Sequence, residues 1–588
     1  MQKRRILTLI LVVTLMLTSL LAGCKSNEPA TTNQPEQTNN ATENKESKDN
    51  TIPKGMKKVN GILMDEEQYL RLVEFEPESL DTTRSSISSA WRAQTPLFEG
   101  LTRVEMTEDG VEKIVPGMAE RWEHNEEGTE YTFYLRDAVW SDGKPVRAQD
   151  FEYAIKRLLD PKTASKYGWF FCGIIKNATE FNGGKCSADE VGIYAVDDKT
   201  LKVELAKPVP YFMQLTYFIV FSPLRQDIAE KYGDSYGQEA EHIVANGPFI
   251  LKEWVHDNKL VYEKNPNYWD KEHVYIDKME FVNLPDDSAR MQALLRGEID
   301  AAALFKREWK EKFQSMDGYQ FIMKPLAWTE YIMFNHKDRY FKNDKIRKAF
   351  TIAYDRDELN DLVFGGGRIP PTSFVPDNIM LGDENYQNKI GNPKYLKKLV
   401  DENPDPKALL IEGLKELGED PDPAKMEISY MTNGNGDIPR KMAEFFQQSF
   451  KKNLGVDIKL EIVASNVAYD KFDGGEFQIF ETGWIGDYND PSTFMDLWKS
   501  GKQGNYPQIG WVNEEFDKLV IEAGKELDPN KRAEMYKRAE EILIYEDCVC
   551  GPYLMGTVNT AIKDYVNNYH EFSFVKRNYV GVYTKGRK

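Results

Sequence analysis

Cysteine is scarce: five in 588 residues cannot make a disulfide scaffold. Histidine is nearly as scarce, and the six present (His124, His242, His256, His273, His336 and His570) include no pair four residues apart, so the helical zinc spacing is absent. Positive charge is in deficit. Lys and Arg number 76 against 95 Asp and Glu, a net charge of −19, which argues against a surface built for nucleic-acid phosphates. Beyond one N-terminal stretch there is no long apolar run, and mean hydropathy is −0.58, which excludes a chain that crosses a membrane repeatedly. What is present is enough apolar residue, 41% of the chain, to bury a core, so a mainly disordered protein is excluded as well. At roughly 150 residues per domain the length suggests about four domains, a number that large α/β units reduce by merging.

The one apolar run lies at the start. Lys3, Arg4 and Arg5 precede residues 6–21, apolar apart from Thr and Ser, and Leu21-Ala22-Gly23-Cys24 follows at once. A cationic start, a short apolar core and small residues before a break are the parts of a secretory signal, the alternative being an N-terminal anchor helix. The tetrad resembles a bacterial lipobox. That resemblance implies removal of residues 1–23 and a diacylated Cys24 that holds the protein on the extracytoplasmic face of the cell membrane, since two or more acyl chains anchor stably. The linker expected over residues 24–58 has almost no apolar residue to about Asn50 and reads as a flexible tether.

From residue 59 the pattern is mixed α/β. Tyr131, Phe133 and Leu135 alternate within residues 129–136, a strand. Phe151, Ala154, Ile155, Leu158 and Leu159 recur at helical spacing, and Asp160-Pro161 ends that helix. Residues 288–296 predict another, opened by Asp286 and Asp287 and closed by Gly297. Residues 345–354 and 440–454 are further helices; 427–431 and 457–463 are strands. No repeat recurs at solenoid spacing. Catalytic signals are weak. Gly233-Asp234-Ser235-Tyr236-Gly237 fits G-x-S-x-G, yet residues 227–232 are polar and helical where a nucleophile elbow needs a hydrophobic strand. Gly365-Gly366-Gly367 lacks the Lys-Ser/Thr ending of a P-loop. Residues 487–491 lack the alternation of a calcium loop, which wants Gly at its sixth position. No catalytic residue, metal ligand or cofactor is assigned, and a binding protein is expected rather than an enzyme.

Residues 118–157, MAERWEHNEEGTEYTFYLRDAVWSDGKPVRAQDFEYAIKR, closely resemble the signature of the large extracellular solute-binding proteins of peptide and nickel ABC importers. The shared parts are A-x-x-W, Y-T-F-x-L-R, W-S-D-G, A-x-D-F and the closing Arg; Arg147 departs from the usual Thr or Ser at a helix cap. The likeness continues in order through residues 97–101, 207–212, 246–249, 264–269, 296–300, 343–357 and 483–491. Residues 163–167 and Trp484-x-x-Asp487-Tyr488-Asn489 look most like the oligopeptide-binding branch.

The resemblance implies an α/β, two-lobed clamshell of the type II periplasmic-binding-protein kind with an extra inserted domain. Lobe I would comprise residues 59–92, 200–326 and 555–588, the inserted domain 93–199, and the second main lobe 327–554. Chain crossings near 326–328 and 552–554 would form the hinge. The implied partners are an oligopeptide ligand and the transmembrane subunits of an ABC permease, with a monomeric receptor, no nucleic acid and ATP hydrolysed on other subunits. A receptor for many peptides must grip what all peptides share, a backbone ready to add as a strand and an α-ammonium. The resemblance places the strand edges around Trp91-Arg92 and Gly483-Trp484-Ile485, with Gly483 allowing close backbone approach. It places the carboxylate for the ammonium at Asp487. From the residues alone, the alternative for Asp487 is a cap for the helix that follows, and Trp484 is either pocket wall or core. Tyr167 offers a phenol to the ligand backbone, and Trp328 is a further aromatic candidate. The positions that hold a peptide carboxylate in some members carry Thr351, Pro439 and Glu481, none cationic, which implies a longer peptide or a ligand with no carboxylate there.

Other solutes on the same fold (a nickel chelate, haem, an opine) and a peptide pheromone are the alternatives, and a surface hydrolase using Ser235 is the reading from another class. Cys172 and Cys186, 14 apart, suit a bridge outside the cell. Cys548 and Cys550 are expected on one strand face, too close for an unstrained bridge, and free thiols are the default for both pairs.

Overall fold

The computed structural model describes residues 52–108, 110–501, 506–574 and 577–587. The expected signal over 1–23, Cys24 and the expected linker as far as residue 51 lie outside the described residues. The end of the expected linker span is ordered: Met56–Val59 pairs antiparallel with Ile62–Asp65. Residues 53–588 make one unit. Among the described residues no helix is long and apolar enough to cross a membrane.

Alternation at Tyr131, Phe133 and Leu135 buries one face of Glu130–Leu135. That strand sits in a four-stranded antiparallel sheet, between Ala119–His124 and Thr200–Glu204, with Ile193–Ala195 outermost. Helix Ala148–Leu159 buries the five predicted apolar residues and stops at Asp160, whose extended backbone leads into Pro161. Its departure at Arg147 is made good by Asp150, whose carboxylate accepts from Arg147 N–H and from Trp140 Nε1–H, both at 3.0 Å. A second sheet orders Phe249–Val255, Lys259–Lys264, Lys278–Val282 and, parallel to the last, Tyr69–Val73. One core serves both sheets and draws Ile562, Val566, Tyr579 and Val582 from the C-terminal end. Helix Asp287–Arg296 starts where Asp286 accepts from Ala289 N–H at 2.7 Å, and Gly297 ends it at φ 74°.

The third sheet positions the site. Two long strands, Tyr319–Phe334 and Cys550–Lys563, pair antiparallel through most of their length. Ala301–Ala303 flanks one of them. Ile479–Ile485 flanks the other, followed by Ile428–Met431 and Ile458–Glu461 in parallel. The register of the long pair shifts between Pro325 and Thr329 and again between Glu330 and Tyr331, each a local kink. Period-two alternation then divides two cores. Ile332, Phe334, Tyr430 and Ile479 face helices Asp344–Ile352 and Asp437–Asn453 through Phe350, Phe446 and Phe450. Tyr331, Met333, Met431 and Phe480 face Trp498 and Tyr536 on the other side.

Cys548 is not on a strand: it has φ 45° and precedes the strand that begins at Cys550, its thiol 3.2 Å from Thr351 Oγ1. All four described cysteines are free thiols. Ser235 ends a 3₁₀ turn after helix Gln226–Tyr232 and donates its hydroxyl to Tyr232 O at 2.8 Å, so no strand drives it into a nucleophile elbow.

Candidate functional site

Strand Ile479–Ile485 is paired with residues 328–334 along its whole length. On its other side only Ile479 and Phe480 are paired, with Tyr430 and Met431. Among the described residues no strand covers residues 481–485 on that side, so a short run of backbone donors and acceptors is left open. Gly483 sits in this stretch for a reason the sequence did not show. A Cβ there would lie 2.7 Å from Trp328 Nε1 and 3.1 Å from Thr329 O, so the missing side chain makes room for an indole of the protein itself. Arg368 stacks over that Trp328 ring at 4.3 Å.

Just past the open stretch stands Asp487. Tyr167, 320 residues away in the chain, donates its hydroxyl to Asp487 Oδ1 at 2.8 Å. Asp487 N–H donates to Thr493 Oγ1 at 3.1 Å. The capping alternative fails, because Ser492 N–H is taken by Asp490 Oδ1 at 3.0 Å. Burial pushes the Asp487 carboxyl up to about 6, against the pull of the Tyr167 hydrogen bond. The Tyr167 phenol is raised in turn, by burial first and then by the Asp487 charge.

Tyr167 belongs to an aromatic wall. Trp91 meets its ring edge-on at 5.3 Å, Trp169 lies 5.2 Å away and is 52% exposed, and Phe218 backs Trp91 at 5.2 Å. The Trp91 indole N–H is buried without a hydrogen-bond partner among the described residues. The expectation of a strand edge at Trp91-Arg92 is wrong. Both lie in helix Ser88–Gln94, whose N–H and C=O groups are used along the helix and cannot add a strand, and Arg92 reaches Glu74 Oε2 at 3.5 Å.

Trp484 is mostly core, half-buried against the Trp498 side, with Nε1 3.5 Å from Thr493 Oγ1. Ile485 points the opposite way and is 49% exposed. Thr351 is fully buried. Glu481 is buried too and accepts from the Tyr430 hydroxyl at 3.2 Å. Burial, then the negative charge of Glu330, pushes Glu481 up to about 8, so it carries a proton at neutral pH rather than acting as a fixed negative charge. Glu330, Arg368, Tyr430, Thr493 and Trp169 were not anticipated. Lone acids inside the apolar runs Trp328-Thr-Glu-Tyr-Ile-Met-Phe334 and Ile479-Phe-Glu-Thr-Gly-Trp484 were the available signal. Among the described residues no group of three or more His, Cys, Asp or Glu is placed to hold a metal ion.

A raised carboxyl pKa has a definite sign. Between the ordinary value near 4 and about 6 the folded chain holds a proton on Asp487 that the unfolded chain has released, so folding loses stability as pH rises through that window. Carboxyl carbon shifts followed by NMR should titrate near 6, and Tyr167→Phe, which removes the bond favouring the charged form, should move the midpoint upward. A midpoint near 4 in the parent protein would contradict this environment.

The model of bacterial extracellular solute-binding proteins, family 5, matches residues 113–506. The chain is similar to the oligopeptide-binding protein OppA of Bacillus subtilis, 37% identical over 484 residues that cover 81% of this chain and 85% of that one. Its fold is similar to Listeria monocytogenes OppA bound to peptide (31% identity, TM-score 0.69, covering 88% of this chain and 99% of that one). It is also similar to the Escherichia coli murein tripeptide binding protein MppA (31% identity, TM-score 0.71, covering 89% and 99%).

Proposed function

The chain belongs to the bacterial extracellular solute-binding proteins of family 5, and on that premise we propose that it is a receptor for oligopeptides. It has the two-lobed α/β fold of that family and is a binding protein, not an enzyme. The peptide adds as a strand along the open stretch 481–485, and its α-ammonium pairs with Asp487. One observation carries this reading: a bare strand edge that runs out at a half-buried carboxylate. A strand edge recognises backbone and tolerates side chains, and the carboxylate recognises the cation every free peptide begins with. The opposing surface is the wall of Trp91, Tyr167 and Trp169, where the unpaired Trp91 N–H is a donor for a ligand carbonyl. That a Bacillus subtilis relative is named for oligopeptide binding, and that the Listeria protein was solved with a peptide, supports the same choice of ligand.

In this reading residues 59–92, 200–326 and 555–588 form lobe I, 93–199 the inserted domain and 327–554 the second main lobe. The kinks in the paired long strands, between residues 325 and 331, are the natural place for the lobes to bend. Closure brings Tyr167 to Asp487. Acyl chains on Cys24 keep the receptor at the membrane, and an ABC permease takes the peptide onward. A nickel chelate, haem or opine would leave a different mass in protein analysed with its co-purified ligand.

Calorimetric titration with an alanyl hexapeptide amide tests the mode of capture. Methylating alternate backbone nitrogens of that peptide should weaken binding by about thirtyfold or more, because each ladder bond lost leaves a desolvated acceptor. The free acid and the amide should bind within about threefold of each other, since no cation stands at Thr351, Pro439 or Glu481. Unchanged affinity of the methylated peptide, or a strong preference for the free acid, would reject strand addition as described.

A further inference from the structure

Glu330 and Glu481 lie on neighbouring antiparallel strands, with Glu330 opposite Gly483 and Ile332 opposite Glu481. They therefore share one face, diagonal to each other, and the residue between Glu481 and Ile485 on that face is a glycine with no side chain. Both acids are more than nine-tenths buried, at 8% and 6% exposure. Glu481 has its Tyr430 hydrogen bond. Glu330 Oε2 has no hydrogen bond, and its nearest cation, Arg368 Nε, stands at 3.7 Å with the guanidinium spread over Trp328 and Phe364. Of the two buried carboxyls, Glu330 thus has one loosely placed arginine, and Glu481 has the Tyr430 hydroxyl and the Glu330 charge for neighbours. The other titratable groups facing the pair are Tyr430 and Tyr553, both raised chiefly by burial. Lys310 lies beyond Arg368, is pushed down to about 8 by burial and neighbouring arginines, and donates to Phe364 O at 2.8 Å.

Such a pair is costly when both members are charged and has an open neighbour. A strand added along residues 481–485 sets one of its side chains beside Glu481 on the same face, within the roughly 5 Å of a cross-strand pair. We infer that Glu330 and Glu481 form a specificity subsite that selects a basic side chain, an ammonium or guanidinium, at one interior residue of the bound peptide. This deepens the strand-addition reading and rests on it. Asp487 takes the first residue's ammonium, six residues along the chain from Glu481, so the two acids serve different ligand residues. Entry of the cation releases to solvent the proton the pair holds at neutral pH, which removes the cost of ionising both.

The test scans one Lys, and separately one norleucine of similar length, through positions 2–5 of an alanyl hexapeptide amide bound to the whole protein. One position should favour Lys over norleucine by about tenfold or more, as expected of a charge pair shielded from water. At that position alone, calorimetry at pH 7 in two buffers of different ionisation enthalpy should register a released proton. Glu330→Gln, which keeps shape and hydrogen-bonding capacity, should abolish the Lys preference while the norleucine peptide still binds, and Glu481→Gln should abolish the preference as well. Equal binding of Lys and norleucine peptides at every position overturns the subsite and leaves the peptide receptor standing. If no hexapeptide binds, the receptor reading falls and the subsite with it. The scan on the unmodified protein decides the matter even where a variant fails to fold.

Discussion

Acetylating the α-amino group of a bound hexapeptide amide should weaken it by about a hundredfold, and Asp487→Asn should weaken the unacetylated peptide by a similar factor. The magnitude follows from the site. Removing one partner of a desolvated, hydrogen-bonded charge pair costs about 2–5 kcal/mol, much of it the penalty of leaving the other charge buried and alone. Asp487 is half-buried; its own N–H on Thr493 fixes its backbone, and Tyr167 on Oδ1 holds the carboxylate when the lobes are closed. An ammonium has to find the ionised form. Below about pH 6, where burial leaves Asp487 protonated, affinity for the free peptide should fall, toward tenfold per pH unit, while the acetylated peptide is indifferent. Combining the acetylated peptide with Asp487→Asn should cost little beyond either change alone, because both delete the same interaction. Equal affinity of the free and acetylated peptides would remove Asp487 from the account of recognition.

Arg532→Met should be among the most destabilising single substitutions in the chain, by about 3–5 kcal/mol. Arg532 donates to both oxygens of Asp490, at 2.9 and 2.8 Å, and from Nε to Ala523 O at 2.9 Å; both side chains are 3% exposed. Met fills the volume of the stem but leaves Asp490 a buried, unpaired carboxylate that also organises Ser492. The loop so disturbed carries Asp487 three residues earlier, so peptide binding should fall together with the thermal midpoint. Adding Asp490→Leu to Arg532→Met should recover much of the midpoint, because a well-packed apolar pair can replace a buried ion pair at little cost. A chain of this size need not unfold in one step, so the midpoint of the transition that includes Trp484 and Trp498 is the quantity to compare. A shift of less than a degree would mean that water reaches the pair.

Much of the scaffold was legible because its signals are local. Phe151 through Leu159 repeat at helical spacing and their helix exists; Asp286 and Gly297 bracket a helix as caps do. The Trp484-to-Asn489 motif carried the family resemblance that placed a strand edge and an acid there, and the structure has a strand over Ile479–Ile485 with Asp487 just beyond it. Trp91-Arg92 failed for an instructive reason. Ser88 to Gln94 is a run that helix geometry accommodates, and a position on a groove wall says nothing about whether its backbone is free. Gly483 was read as room for a ligand, whereas the structure fills that room with the indole of Trp328.

Composition, the leader-like start, the α/β rhythm and the presence of an acid after a Gly-Trp pair were determined by the sequence alone, since each depends on residues within about one turn or one strand of each other. Tertiary structure decided which backbone edge is left bare, because an edge is defined by the strand that does not come to cover it. It also decided that Tyr167 meets Asp487 and that Glu330 lies beside Glu481. Those pairings set the proton affinity of each acid through burial and neighbouring charge, and neither quantity exists until distant segments have packed together.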